Sequence, residues 1–147
     1  MIQERERART HGYADPIQPD KESTHRCYDT VAYRVLDEIA AGRKAQVMIA
    51  SHNEDSILRV SSRMAELGIE KSSTDVTFGQ LLGMCDHISL TLGQAGYKTY
   101  KYLPYGPVDE VVPYLIRRAE ENSDVLGATA KESRLILGEV RRRAIGM

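Results

Sequence analysis

The sequence holds two cysteines in 147 residues, Cys27 and Cys85, far apart and without CxxC spacing. That argues against a disulfide framework and against a zinc cluster, and it fits a reducing compartment. Net charge is also nearly absent, since 20 Lys and Arg face 21 Asp and Glu and leave -1 at pH 7. Uniform attraction to phosphate needs a basic surface, so nucleic acid is not an expected partner. The local run Arg141, Arg142 and Arg143 fits a solvated helix end, where cations suit the helix dipole. No apolar run reaches the ~18 residues that a membrane-spanning helix needs. The opening "MIQERERART" is charged from its third residue, unlike a signal peptide. There is no internal repeat and no low-complexity linker. "GQLLG" is no phosphate loop, because it lacks the lysine and the following serine or threonine.

What is present is a periodic alternation. "IQERERART" favours helix but has no apolar stripe, and it is expected to be the exposed end of a longer element. Gly12, Pro16 and Pro19 punctuate the loop after it. Tyr28, Val31, Ala32, Val35, Leu36 and Ile39 recur at helical spacing, which predicts a helix from about Glu22 to Ala41 stopped by Gly42. "AQVMIAS" predicts a buried parallel strand. Ile57, Val60, Met64 and Leu67 predict the buried face of a second helix, ended by Gly68. "DVTFG" is the next strand, "QLLGM" a loop, and Asp86 the cap of a helix through about Ala95. "KTYKYLP" is a third strand. A helix starts near Pro107, with Pro113 marking a kink or a restart. After "ENSDVLG" a last amphipathic helix spans about Ala130 to Ala144. Strands separated by helices imply right-handed parallel crossovers, so the fold class is α/β. Three strands leave both sheet edges open and apolar strands uncovered, which suggests a piece of something larger. A small stand-alone α/β domain is the alternative.

In parallel α/β folds ligands gather at the carboxyl ends of strands. "SHN" (Ser51, His52, Asn53), "GQLLGM" and "YLPYG" lie there. His52 fits a capping or core-edge histidine better than a catalyst, and Gly79 and Gly83 fit tight turns. On the helix that carries "YLIRRAEEN", Val108, Val111, Val112, Leu115, Ile116 and Ala119 share one face. Tyr114, Arg117, Arg118 and Glu121 fall in another sector. From spacing alone, that sector fits a solvated polar face with ion pairs along the helix. It equally fits an anion clamp, in which two planar guanidinium forks take a carboxylate or phosphate and Tyr114 packs over a small apolar group.

"YLIRRAEEN", together with "ASHN", "FGQLLGMCD" and "KYLPYGP" in this order, resembles the proline dehydrogenase family. The likeness runs from "QERERA" to the last helix, and the YxxRRxxEN pattern is its most specific part. "GQLLGMCDHISLTLGQAGY" is similar to the mitochondrial, eukaryotic branch. The resemblance implies the last part, about strands six to eight, of a (βα)8 TIM-like barrel, incomplete as given, with residues 1–147 as a single carboxyl-terminal segment. It implies FAD-dependent oxidation of L-proline to pyrroline-5-carboxylate, with electrons passed to quinone. It implies a mitochondrial location on the matrix side of the inner membrane and a peripheral membrane contact. By the same resemblance Arg117 and Arg118 bind the proline carboxylate, Tyr114 and Tyr102 pack around the substrate ring, and Leu81 is an apolar wall. Ser51, His52 and Asn53 contact the flavin, and Glu121 lies near it. No metal and no further catalytic residue is implied within this chain. A full barrel needs about 250 residues, so the isolated chain is expected to be a fragment inactive alone. Two alternatives accompany this reading. Hydroxyproline dehydrogenase is one, disfavoured because bulky Tyr102 would obstruct a 4-hydroxyl. The other is a non-catalytic half-barrel binding module.

Overall fold

The computed structural model describes the backbone of residues 2–121 and 126–145 and the side chains of residues 3–118 and 133–145. The elements are α1 (Ile2–His11), α2 (Lys21–Ala40), β1 (Val47–Ala50), α3 (Glu54–Glu66), β2 (Val76–Leu81), α4 (Asp86–Gln94), β3 (Thr99–Tyr102), α5 (Val108–Glu121) and α6 (Leu126–Ile145). The strands form one sheet in the order β1-β2-β3. β2 and β3 are parallel, with Phe78 opposite Thr99 and Leu81 opposite Tyr102. A helix connects consecutive strands, as parallel pairing requires. The chain divides into two compact units, Met1–Thr77 and Phe78–Met147.

In the first unit, α2 and α3 pack on each other. Ala32 and Leu36 of α2 and Ile57, Val60 and Met64 of α3 are buried, and Ile49 of β1 and Val76 are buried as well. Leu67, expected on the buried face of α3, is only half-buried. Two ion pairs set the register of the helices: Arg59 to the buried Asp29 at 2.9 Å, and Arg63 to Asp37 at 2.8 Å. The Asp20 carboxylate accepts the Ser23 N–H at 2.6 Å and caps α2. At the other end Gly42 stops α2, as expected. Its φ is +74°, its N–H reaches the Ile39 carbonyl, and the Arg43 N–H reaches back to Glu38. This paired reversal needs a left-handed residue, which glycine adopts without steric cost. β1 is less enclosed than expected. Ile49 is buried, but Met48 on the opposite face is exposed, because no element of the unit covers that side.

In the second unit, Phe78 is fully buried and meets Tyr97 edge-on, with ring centroids 5.5 Å apart. Ile88 and Leu92 of α4 complete this core. Two expectations are corrected here. β2 continues through Gln80 and Leu81, which the sequence assigned to a loop. Gln80 is buried, yet its amide oxygen accepts the Ser89 hydroxyl at 2.9 Å, so a polar residue extends the strand without an unmet hydrogen bond. Asp86 does not cap α4. Cys85 takes the cap position at φ 54° with no side-chain cap bond, and Asp86 is the first helical residue. α5 runs through Pro113 as one helix, which removes the restart alternative. Its apolar face is uncovered: Val108, Val112, Leu115 and Ile116 are 44–75% exposed. α6 begins at Leu126, earlier than the expected Ala130, so Leu126 and Gly127 of "ENSDVLG" are helical.

Phe78→Ala should destabilise the chain by about 3–5 kcal/mol, the range for emptying a buried aromatic site. Urea unfolding followed by circular dichroism measures it, and a loss below about 1 kcal/mol would contradict the assigned core. A second expectation concerns Glu139 in α6. Hydrogen bonds from Arg142 and then Arg143 hold its carboxyl below the ordinary 4.5, at about 2. The folded pKa is depressed, so this stabilisation is complete above the ordinary value and is lost as pH falls to about 2. Glu139→Gln should therefore lower the melting temperature at pH 7, and the difference from wild type should vanish near pH 2. A difference that persists unchanged at the acid end would refute it.

Candidate functional site

The carboxyl ends of β2 and β3 lie side by side because their register sets Leu81 opposite Tyr102. The Leu82 N–H donates to the Tyr102 carbonyl at 3.0 Å and carries the pairing one step beyond the strand. After "LPYG", the Pro107 carbonyl accepts the Glu110 and Val111 N–H groups and starts α5. One turn apart on that helix, Tyr114 and Arg118 turn to the strand ends. The Tyr114 and Tyr102 rings are 6.1 Å apart and tilted by 54°. The Arg118 guanidinium lies 5.3 Å from the Tyr114 ring centroid, within cation–π range. A hydrogen bond with Tyr114 holds the Tyr102 phenol above its ordinary pKa, while the Arg118 charge acts in the opposite direction.

These groups surround a cavity of about 430 Å³ lined in part by Leu81, Met84, Tyr102, Tyr114, Leu115 and Arg118. The volume sits at the lower end of small-ligand pockets. Apolar walls, two phenols and one guanidinium suit a small ligand with an apolar body and an anionic end. Of the five residues expected to bind substrate, the structure brings together Leu81, Tyr102, Tyr114 and Arg118. Arg117 is exposed and is not among the residues lining this cavity. α5 ends at Glu121, whose side chain lies outside the described residues.

Ser51, His52 and Asn53 belong to the first unit, where they follow β1 and are all half-buried. Asn53 organises this turn. Its Oδ1 accepts the Asp55 N–H at 3.1 Å and caps α3, and its own N–H donates to the Ser51 hydroxyl at 3.0 Å. Its side-chain amide donates to the Ser56 hydroxyl and to His25 Nδ1, each at 3.1 Å. An accepting Nδ1 places the His25 proton on Nε2. His25 was not legible as a partner, because it lies on α2, 28 positions away, and nothing in the sequence pairs the two. Among the described residues no group of His, Cys, Asp and Glu is placed to hold a metal ion, and no helix is long and apolar enough to cross a membrane.

Strand–helix units with a cavity of this chemistry at the carboxyl edge define an α/β fold with a candidate small-molecule site. The chain belongs to the proline dehydrogenase family, whose model, described as proline dehydrogenase, matches residues 1–131. It is 56% identical over 144 residues to a hydroxyproline dehydrogenase of Xenopus laevis, covering 97% of this chain and 31% of that protein. It is 52% identical over 143 residues to proline dehydrogenase 1, mitochondrial, of Homo sapiens, covering 97% and 24% respectively. Among solved structures it is similar to proline utilization A (PutA) from Bdellovibrio bacteriovorus inactivated by N-propargylglycine. That match has a TM-score of 0.70 at 27% identity and covers 82% of this chain and 12% of the other. The chain thus spans a minor part of these relatives, 31% and 24% of the two curated proteins.

Asn53→Ala removes the α3 cap and should cost about 1 kcal/mol of stability. Urea denaturation of the variant beside wild type checks this, and an unchanged midpoint would show that the cap contributes nothing.

Proposed function

We propose that this chain is the carboxyl-terminal segment, about strands six to eight, of a (βα)8 barrel that oxidises L-proline to pyrroline-5-carboxylate with FAD and passes the electrons to quinone. The observation that carries this reading is the convergence of Leu81, Tyr102, Tyr114 and Arg118 on one cavity at the carboxyl ends of β2 and β3. Arg118 takes the proline carboxylate, joined by Arg117 when substrate is present. The tyrosines and Leu81 fit the apolar ring and fix its register, which turns a bimolecular encounter into an oriented one. Closing the cavity against water strengthens the ion pairing.

Ser51, His52, Asn53 and Glu121 are assigned to the flavin. The fit is chemical: a hydroxyl, an imidazole and an amide stand half-buried at the carboxyl end of β1, where parallel folds hold ligands. Bound FAD would supply the hydride acceptor, and the protein supplies position and field. The exposed Met48 of the first unit, and the exposed Tyr100 and α5 face of the second, support further strands covering these surfaces. Activity is therefore assigned to the complete barrel, and the isolated chain is not a competent enzyme. The mitochondrial names of relatives support the same compartment, with a peripheral contact at the matrix side of the inner membrane to meet quinone.

A second reading, hydroxyproline oxidation, is favoured by the identity to the Xenopus laevis protein. Tyr102 weighs against it, because its ring and hydroxyl fill the wall where a ring substituent would sit. Comparing kcat/KM for the two substrates decides, and a preference for hydroxyproline would reverse the choice.

Replacing Arg118 by methionine in the complete enzyme removes a charge-assisted bond worth roughly 1.5–3 kcal/mol. kcat/KM for proline should then fall at least about tenfold, since about 1.4 kcal/mol is a factor of ten. Arg117→Met should also reduce it, flavin absorbance should stay normal in both, and lysine should rescue poorly for want of a planar fork. Wild-type kcat/KM in both variants would return the pair to a solvated helix face.

A further inference from the structure

The register that places Leu81 beside Tyr102 also places Lys101 opposite Gln80, one residue short of the cavity. Alternation along β3 turns Lys101 to the side of Thr99, away from Tyr100 and Tyr102. Its side chain is only 25% exposed. The ammonium meets three acceptors between the end of β2 and the start of α4: the Met84 carbonyl at 2.7 Å, the Leu81 carbonyl at 3.4 Å and an Asp86 carboxylate oxygen at 2.6 Å. An ammonium has three donors and can satisfy all three acceptors at once. A guanidinium, being planar, cannot arrange its donors around such a cluster.

The segment these contacts hold is conformationally costly. Gly83 has φ +77° and Cys85, which has a side chain, has φ 54°. A left-handed non-glycine residue persists only where its surroundings fix it. The same segment supplies Leu81, Leu82 and Met84 to the cavity wall that faces Tyr114 and Arg118. Beyond the Leu82 and Met84 N–H bonds to the Tyr102 and Leu81 carbonyls, this part of the wall lies outside regular structure, and a half-buried cation ties both ends of it to β3.

We propose that Lys101 is a positioning residue for substrate: by binding the Leu81 and Met84 carbonyls and Asp86 together, it holds the 81–86 turn as a fixed wall of the proline cavity. The inference rests on the proposed proline site, but the anchoring itself is a property of the fold. Asp86 contributes through Lys101 and the first turn of α4, where its charge also suits the helix dipole. Loss of the ammonium frees the turn and loosens the wall, so substrate affinity suffers before flavin binding does.

The test uses the complete enzyme with Lys101→Met, Lys101→Arg and Asp86→Asn, examined by hydrogen exchange and by steady-state kinetics with L-proline. In Lys101→Met the amides of Leu82 to Cys85 should exchange at least about tenfold faster, while the buried amides of β2 and α4 keep wild-type protection. KM for proline should rise at least about fivefold with kcat within about twofold and the flavin-to-protein ratio unchanged, as expected when a wall that contacts ground state and transition state alike is loosened. Lys101→Arg should not restore KM. Asp86→Asn, which keeps both carbonyl contacts, should move exchange and KM in the same direction by less, and it serves if Lys101→Met fails to fold. Wild-type exchange in the turn of either foldable variant overturns the anchoring. Faster exchange with unchanged KM overturns the positioning role. Should the wild-type enzyme fail to oxidise proline, the substrate reading falls, and the exchange measurement still decides the anchor.

Discussion

Parallel pairing of β2 with β3 sets Leu81 opposite Tyr102, and the cavity follows from that register. A slip of one residue would exchange the two faces of the strand. Tyr102 would then turn to the helix side and Lys101 to the cavity. The register is fixed from the helix side by buried Phe78, packed edge-on against Tyr97, and by Gln80, whose amide oxygen needs the Ser89 hydroxyl. A slip of β2 instead would bury Gly79 and Leu81 in their place and leave Ser89 without that acceptor. Core packing on one face therefore decides ligand chemistry on the other.

The two faces of each strand are treated very differently. One side is closed by helices and holds Ile49 in the first unit and Phe78 in the second. The other side carries Met48 in the first unit and Tyr100 and Tyr102 in the second, all more than half exposed. Isolated apolar side chains on a surface are ordinary, whereas a consistent apolar face on a sheet is not. In the proposed barrel these side chains point inward and are covered by the remaining strands. The same holds for the uncovered face of α5. Its valines, Leu115 and Ile116 contribute little to stability while exposed, so its helical state in this chain rests more on backbone hydrogen bonds than on tertiary burial.

Much of this was legible in the sequence because period and punctuation agreed. The stripe of α3, the stop at Gly42 and the three strand positions each followed from spacing combined with glycine or loop chemistry. The errors have a common physical origin: in each, tertiary contact overruled a local signal. Gln80 reads as polar and loop-like, yet a hydroxyl on α4 makes its burial acceptable. Asp86 reads as a cap, yet the cation on β3 draws its carboxylate and Cys85 takes the cap position with a left-handed backbone. His25 and Lys101 act across 28 and 17 to 20 residues of chain, a range at which spacing carries no information. The separation of Arg118 from Arg117 was equally hidden, since both belong to the same helical sector.

That separation has a physical consequence for binding. Cation–π attraction to Tyr114 restrains the Arg118 guanidinium, whose planar fork of donors is what a carboxylate would meet. The two interactions are compatible, so the tyrosine can orient the arginine before a ligand arrives and reduce the ordering cost at the moment of binding. Immobilising a rotamer-rich side chain costs about 0.5–1.5 kcal/mol. In the proposed site, Arg117, exposed and outside the cavity lining, would have to meet that cost to join. The Tyr102–Tyr114 ring contact extends the same logic, because it links the strand end to the helix that carries the arginine. Strand, tyrosines and Arg118 form one preorganised surface, with Arg117 exposed beside it on the same helix.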